Sequence, residues 1–171
     1  AVEAQCGLVK PVETNNTAKN RNTRNKIREA KVTEPDRIEQ TLLACMQASR
    51  ENTTYAAERM AEAGVTFSQE GFAGYADALL VAYSTSETPD MARLLAELPE
   101  QQAEAAAMAM TAAPLEGEAA SVIDDCVEKL RYKQINVRLK ELADKMSAGE
   151  GDRTVLLREH AELMKKLKEF K

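Results

Sequence analysis

The sequence predicts an all-α protein, a helical bundle followed by a C-terminal antiparallel helical hairpin, the two joined by one long or hinged helix. Three observations carry this. Apolar residues recur at intervals of three and four, most regularly at Phe72, Tyr75, Ala76, Leu79, Leu80 and Tyr83, which gathers them on one face of a helix with about 3.6 residues per turn. No segment alternates apolar and polar residues as a half-buried strand would. Between residues 121 and 171 the apolar stripe changes face: Val122, Ile123, Cys126, Val127 and Leu130 cluster on one side, while Ile135, Leu139, Leu142 and Met146 cluster roughly 150° away. One helix therefore serves two cores, the first built with the preceding residues and the second with the following helix.

The elements follow in order. Thr33-Glu34-Pro35-Asp36 supplies a capping residue, an early proline and acids for a first turn, and Ile38, Leu42 and Cys45 then repeat at helical spacing to about Ser49. The Asn52-Thr53-Thr54 cluster can start a second helix that packs through Met60 and several alanines, with Gly64 placed where a left-handed cap would end it. Ser68 opens the third helix. Thr88-Pro89 begins a short fourth with Leu94, Leu95 and Leu98, and Pro99 begins an alanine-rich fifth with Met108 and Met110, which Pro114 stops. The charged helix from Ser121 ends at Ala148-Gly149-Glu150-Gly151-Asp152, and a last helix fills the remainder. The division read from this is a flexible basic linker over 1–33, a bundle over 34–130 and a hairpin over 131–171.

Charge separates the same three segments, which the net value of −5 conceals. Residues 1–32 hold seven Lys/Arg against three acids, residues 33–120 four against fifteen, and residues 121–171 twelve against ten. The polar and basic stretch Thr14 to Asn25 has almost nothing to bury and reads as a solvated tether. It could touch phosphates, but it lacks interleaved aromatics, and the acidic middle argues against an extended nucleic-acid face, so direct nucleic-acid contact is expected to be weak at most. No apolar run approaches the roughly 20 residues that cross a bilayer, and no signal-peptide pattern opens the chain, so a cytoplasmic protein without a membrane partner is expected. Cys6, Cys45 and Cys126 are far apart and share no metal-ligand spacing. A disulfide framework or zinc site is not expected, and Cys45 and Cys126 read as small buried hydrophobes.

Little in the sequence suggests catalysis. His160 is the sole histidine, and one turn from Leu156 and Leu163 it reads as the edge of a helix seam. No phosphate loop, nucleophile elbow or HExxH pattern occurs. Asp124 and Asp125 point about 100° apart on a helix, and Asp124 with Glu128 gives two carboxylates without a third ligand, so both read as helix exterior. No catalytic residue, metal or cofactor is assigned.

The final helix carries more apolar surface than the hairpin needs. Leu156, His160, Leu163, Leu167 and Phe170 can face Met146, Leu142, Leu139, Ile135 and Tyr132 across the antiparallel turn. A second stripe, Leu157, Ala161 and Met164, is turned roughly 100° from the first. It could pack on the bundle or on a second copy of the chain. A two-helix unit has few other surfaces to cover it, so docking of a partner is preferred, with Arg158, Lys165 and Lys168 at its rim and the Arg131-Tyr132-Lys133 group as the next candidate surface.

The run Val122-Ile123-Asp124-Asp125-Cys126-Val127-Glu128-Lys129-Leu130-Arg131-Tyr132-Lys133-Gln134-Ile135-Asn136, then Leu139-Lys140-Glu141-Leu142, Gly151-Asp152 and Leu156-Leu157-Arg158-Glu159-His160, resembles the C-terminal, helicase-binding domain of bacterial DNA primase. Arg37-Ile38-Glu39-Gln40-Thr41-Leu42-Leu43 and Glu62-Ala63-Gly64-Val65-Thr66-Phe67 fit the start of that domain's bundle. The likeness covers residues 34–171 and rests on helical patterning rather than on an invariant motif. It implies a non-catalytic module at the replication fork whose hairpin docks on the N-terminal collar of the hexameric replicative DNA helicase, with single-strand-binding protein as a further candidate contact. It also implies that the zinc-binding and RNA-polymerising domains of the parent nucleotidyltransferase lie upstream, and that this chain, which opens on Ala1, is a segment of that longer protein. The competing classes are a self-associating helical module and a weak nucleic-acid-binding module acting through the linker.

Overall fold

The computed structural model describes residues 36–112 and 116–170, and among these the chain is all-helical, without strands. The helices are α1 (Arg37–Ala48), α2 (Arg50–Ala63), α3 (Glu70–Thr85), α4 (Met91–Glu97), α5 (Glu100–Met110), α6 (Ala119–Ala148) and α7 (Arg153–Glu169). The proposed linker over 1–33, the Thr33 cap and the stop at Pro114 lie outside the described residues.

One residue separates α1 from α2, and side-chain chemistry explains the sharp break. Ser49 is extended (φ −162°, ψ 160°), and its hydroxyl accepts the Asn52 N–H at 3.1 Å. The Asn52 amide donates back to the Cys45 carbonyl at 3.1 Å, and the Thr53 hydroxyl donates to the Met46 carbonyl. Orphan groups at both helix ends are thereby satisfied. The second helix thus starts at Arg50 rather than at the Asn52-Thr53-Thr54 cluster, because Asn52 and Thr53 are spent closing the end of α1. Gly64 ends α2 in the left-handed conformation (φ 67°), as its position predicts.

The expected stripe of α3 is buried at Phe72, Tyr75, Ala76, Leu79 and Tyr83, with Leu80 partly exposed. The helix opens at Glu70, two residues after Ser68. The Ser68 N–H instead donates to the carboxylate of Glu39, a residue only 1% exposed, at 2.8 Å, which ties α1 to the start of α3. The hydroxyls of Tyr75 and Tyr83 donate to Gln47, the first to its side-chain carbonyl at 3.0 Å and the second to its backbone carbonyl at 2.8 Å. Burial pushes the Tyr75 phenol up to about 12.

Small residues bring α3 against α5. A Cβ added at Gly71 would lie 2.7 Å from the Gln101 carbonyl oxygen, so the two backbones approach too closely for a side chain there. Across this contact α5 buries Ala105, Ala106 and Ala109, whereas Met110 is exposed and Met108 only packs at the edge of the core. The methionines named from sequence yield to alanines because the inter-helix gap has no room for long side chains. α4 begins at Met91 under an Asp90 cap and buries none of its residues fully.

α6 is one unbroken 30-residue helix. The expectation of one long or hinged helix is settled for the first. Ile123, Cys126, Val127 and Leu130 join the core formed with Leu42, Leu43, Phe72 and Leu79. Beyond them, Ile135 and Leu142 are buried further along the same helix, in contact with α7. Gly149 closes α6 in the left-handed region (φ 71°), and Asp152 starts α7 by accepting the Thr154 N–H at 2.9 Å. Two cores on one helix lead to an expected outcome. A chain truncated after Leu130 should retain a cooperatively melting bundle by circular dichroism, and a truncated chain that is unfolded would refute the independence of the two cores.

Candidate protein-docking surface

α7 runs antiparallel to the C-terminal half of α6. The Arg138 guanidinium forms paired hydrogen bonds with Glu159, at 2.7 and 3.2 Å, and Arg131 lies 3.6 Å from Glu169. Arg131 also sits over the Phe170 ring at 5.1 Å, and Tyr132 meets that ring edge-on with centroids 5.5 Å apart. The Tyr132–Phe170 register is the one the sequence spacing predicts. Hydrogen bonding to Arg138 holds the Glu159 carboxyl below its ordinary value.

No residue of α7 is fully buried. Leu156, His160, Leu163, Leu167 and Phe170 are half-buried along the seam, against buried Ile135 and Leu142 and half-buried Leu139 and Met146 of α6. The second stripe faces solvent. Leu157 is 49% exposed, Met164 38%, and Ala161 between them is also exposed.

Helical phase separates two lateral faces of this pair. Lys145 lies seven residues beyond Arg138, and Lys166 seven beyond Glu159, so each repeats nearly the same direction on its helix. These residues, with Arg131 and Glu169, form a face of mixed charge tied by cross-helix ion pairs. Leu157, Ala161 and Met164 sit roughly 170° round α7 from Glu159, on the opposite face. Arg153 precedes Leu157 by one turn and Lys168 follows Met164 by one turn, while on α6 Lys140 sits roughly 160° from Arg138 and so borders the same apolar face.

The sequence-derived candidates therefore divide. Leu157, Ala161, Met164 and Lys168 share one exposed surface, with Arg158 and Lys165 exposed at its outer edge. The Arg131-Tyr132-Lys133 group does not form a single surface, because neighbours on a helix diverge by about 100°. Arg131 is engaged with Glu169 and Phe170, whereas Tyr132, 48% exposed, sits at the border of the seam. Arg153 and Lys140 were not singled out from sequence. The four-residue spacing of Arg153 from Leu157 was the available signal for the first. For Lys140 none existed until the register between the two helices was known.

Asp124, read from the sequence as helix exterior, is half-exposed but engaged across helices. It accepts the Tyr55 hydroxyl at 2.9 Å and the Arg59 Nε–H at 2.7 Å, and Arg59 continues to Glu62 at 2.7 Å. The network joins α2 to α6. The hydrogen bond from Arg59 holds the Asp124 carboxyl below its ordinary value, and the hydrogen bond that Tyr55 donates to Asp124 raises its phenol. Cys45 and Cys126 are free and buried, as expected, and burial pushes the Cys126 thiol up to about 11, away from reactive thiolate character. Among the described residues no group of three or more potential metal ligands occurs, and no helix is long and apolar enough to cross a membrane. A surface hollow of about 620 Å³ beside the start of α2 is lined by Arg50, Tyr55 and the carboxylates of Glu51, Glu58 and Glu87. Ser49 and Thr54 complete its lining. Comparison of the chain with protein-family models, with curated proteins and with solved structures gave no match.

Proposed function

We propose that this chain is a helicase-docking module, the non-catalytic part of a bacterial DNA primase that attaches the primer-synthesising enzyme to the replicative helicase at the fork. The observation that supports this reading most is the apolar face of α7. A 17-residue helix that buries none of its residues fully, yet exposes Leu157 and Met164 in line, contributes more surface than core. The resemblance of residues 34–171 to the helicase-binding domain supplies the identity of the partner. No cofactor enters this function, and the chemistry of primer synthesis belongs to domains outside this sequence.

The test is to mix the chain with the replicative helicase of its own organism and follow co-elution. A complex is expected. Leu157→Asp or Met164→Asp would place a charge in the centre of the contact and is expected to weaken it by roughly 30-fold or more, as at an interface hot spot, with helicity retained. Separate elution of the unaltered chain and the helicase would sink the reading. The self-association alternative uses the same stripe and predicts instead a mass that rises with concentration in sedimentation.

A further inference from the structure

The apolar face of the α6–α7 pair is bordered mainly by cations, with exposed Asp144 one turn beyond Lys140. Lys140, Arg153 and Lys168 are exposed around Leu157 and Met164, and none of the three forms an ion pair among the described residues. The opposite face differs in kind. Its Arg131 and Arg138 are paired with Glu169 and Glu159, and Lys145 lies near enough to Glu159 to help hold that carboxyl below its ordinary value, so the cations there stand among acids of the chain. This segregation occurs in a chain whose net charge is −5.

We infer that the surface this face recognises is an apolar patch bordered by carboxylates on a partner protein, contacted through the Leu157–Met164 side of the pair and not through its ion-paired side. The inference rests on the helicase-docking reading and specifies the chemistry of the partner's contact surface. Unpaired cations around an apolar centre gain Coulomb energy only from anionic groups, and they steer such a partner during encounter. A second copy of this chain is the wrong occupant, because stacking two such faces sets lysines and arginines against one another. A nucleic acid is also a poor complement. Three cations provide few phosphate contacts, and Leu157 and Met164 would remain facing a polyanion.

Two double variants separate the faces. Lys140→Glu/Lys168→Glu reverses charge beside the apolar stripe, and Lys145→Glu/Lys166→Glu reverses as much charge on the ion-paired face. With the full chain and the replicative helicase at about 0.1 M salt, where the Debye length is about 10 Å, the first variant is expected to bind at least tenfold more weakly and with a flatter salt dependence. The second is expected to stay within about twofold of the unaltered chain. Equal binding by both variants, with a complex still formed by the unaltered chain, would overturn the assignment of the face while leaving helicase docking intact. Failure of the unaltered chain to bind helicase would remove both proposals. Tight binding of the unaltered chain to a single-stranded oligonucleotide or to anionic vesicles, abolished by Lys140→Glu/Lys168→Glu, would overturn the choice of a protein as the partner.

Discussion

Leu142→Asp is expected to detach α7 from α6 while leaving the bundle folded. Leu142 is 0% exposed although it lies far along α6 from the main core, so its burial depends on the contact with α7. Losing a fully buried leucine costs about 2–5 kcal/mol through transfer and cavity effects, and an unpaired carboxylate in its place adds a desolvation cost. The Arg138–Glu159 and Arg131–Glu169 pairs are too solvent-exposed to compensate. Once released, α7 has no core of its own, and helices in proteins draw most of their stability from the packing of an apolar face. Far-UV circular dichroism should lose helix corresponding to α7 and the end of α6, and limited proteolysis should cut after Gly149. Wild-type helicity together with unchanged proteolysis would refute the seam.

Phe72→Ala is expected to destabilise the bundle by about 3–5 kcal/mol. Phe72 is 2% exposed and follows directly on Gly71, where α3 meets the backbone of α5. Close packing there leaves little freedom for the helices to collapse into the space vacated by the ring. For a domain of this size, each kcal/mol corresponds to roughly 4–8 °C in melting temperature, so the transition should fall by more than about 12 °C. Val81→Ala on the same helix is the control. Val81 is 66% exposed, and its loss should remain within about 0.5 kcal/mol. Urea titration of the two variants measures the contrast, and comparable losses would mean that the core is drawn around the wrong face of α3.

The positions most legible in the sequence were those where local periodicity and burial coincide. The stripe of α3, the left-handed cap at Gly64, the turn over residues 148–152 and the change of face along α6 all depend on residues within a few turns of one another. Helix starts were less legible. A side chain such as Asn52 can cap its own helix or close the previous one, and the choice depends on how sharply the chain turns. The packing of α5 through alanines was hidden because nothing local reveals that Gly71 lies against Gln101. For the candidate surface, Leu157, Ala161 and Met164 could be read from one helix. Its charged border could not, because Lys140 and Lys168 belong to different helices and meet only through the register of the pair. Asp124 was missed for the same reason, since Tyr55 and Arg59 are more than sixty residues away.

The unbroken course of α6 makes the orientation of whatever grips α7 a matter of counting residues. From Leu130, the last α6 residue in the bundle core, to Ile135, the first buried in the seam, the helix continues without a glycine or proline. Each residue in this interval rotates the distal pair by about 100° and advances it by about 1.5 Å relative to the bundle. Inserting one residue directly after Leu130 would keep the packing within each core, at the loss of the Gln134 hydrogen bond to the Thr66 carbonyl, and yet aim the Leu157 face elsewhere. Inserting seven would nearly restore the aim at roughly 10 Å greater reach. The interval thus acts as a pitch setting, in which azimuth and reach are adjusted together by the number of residues.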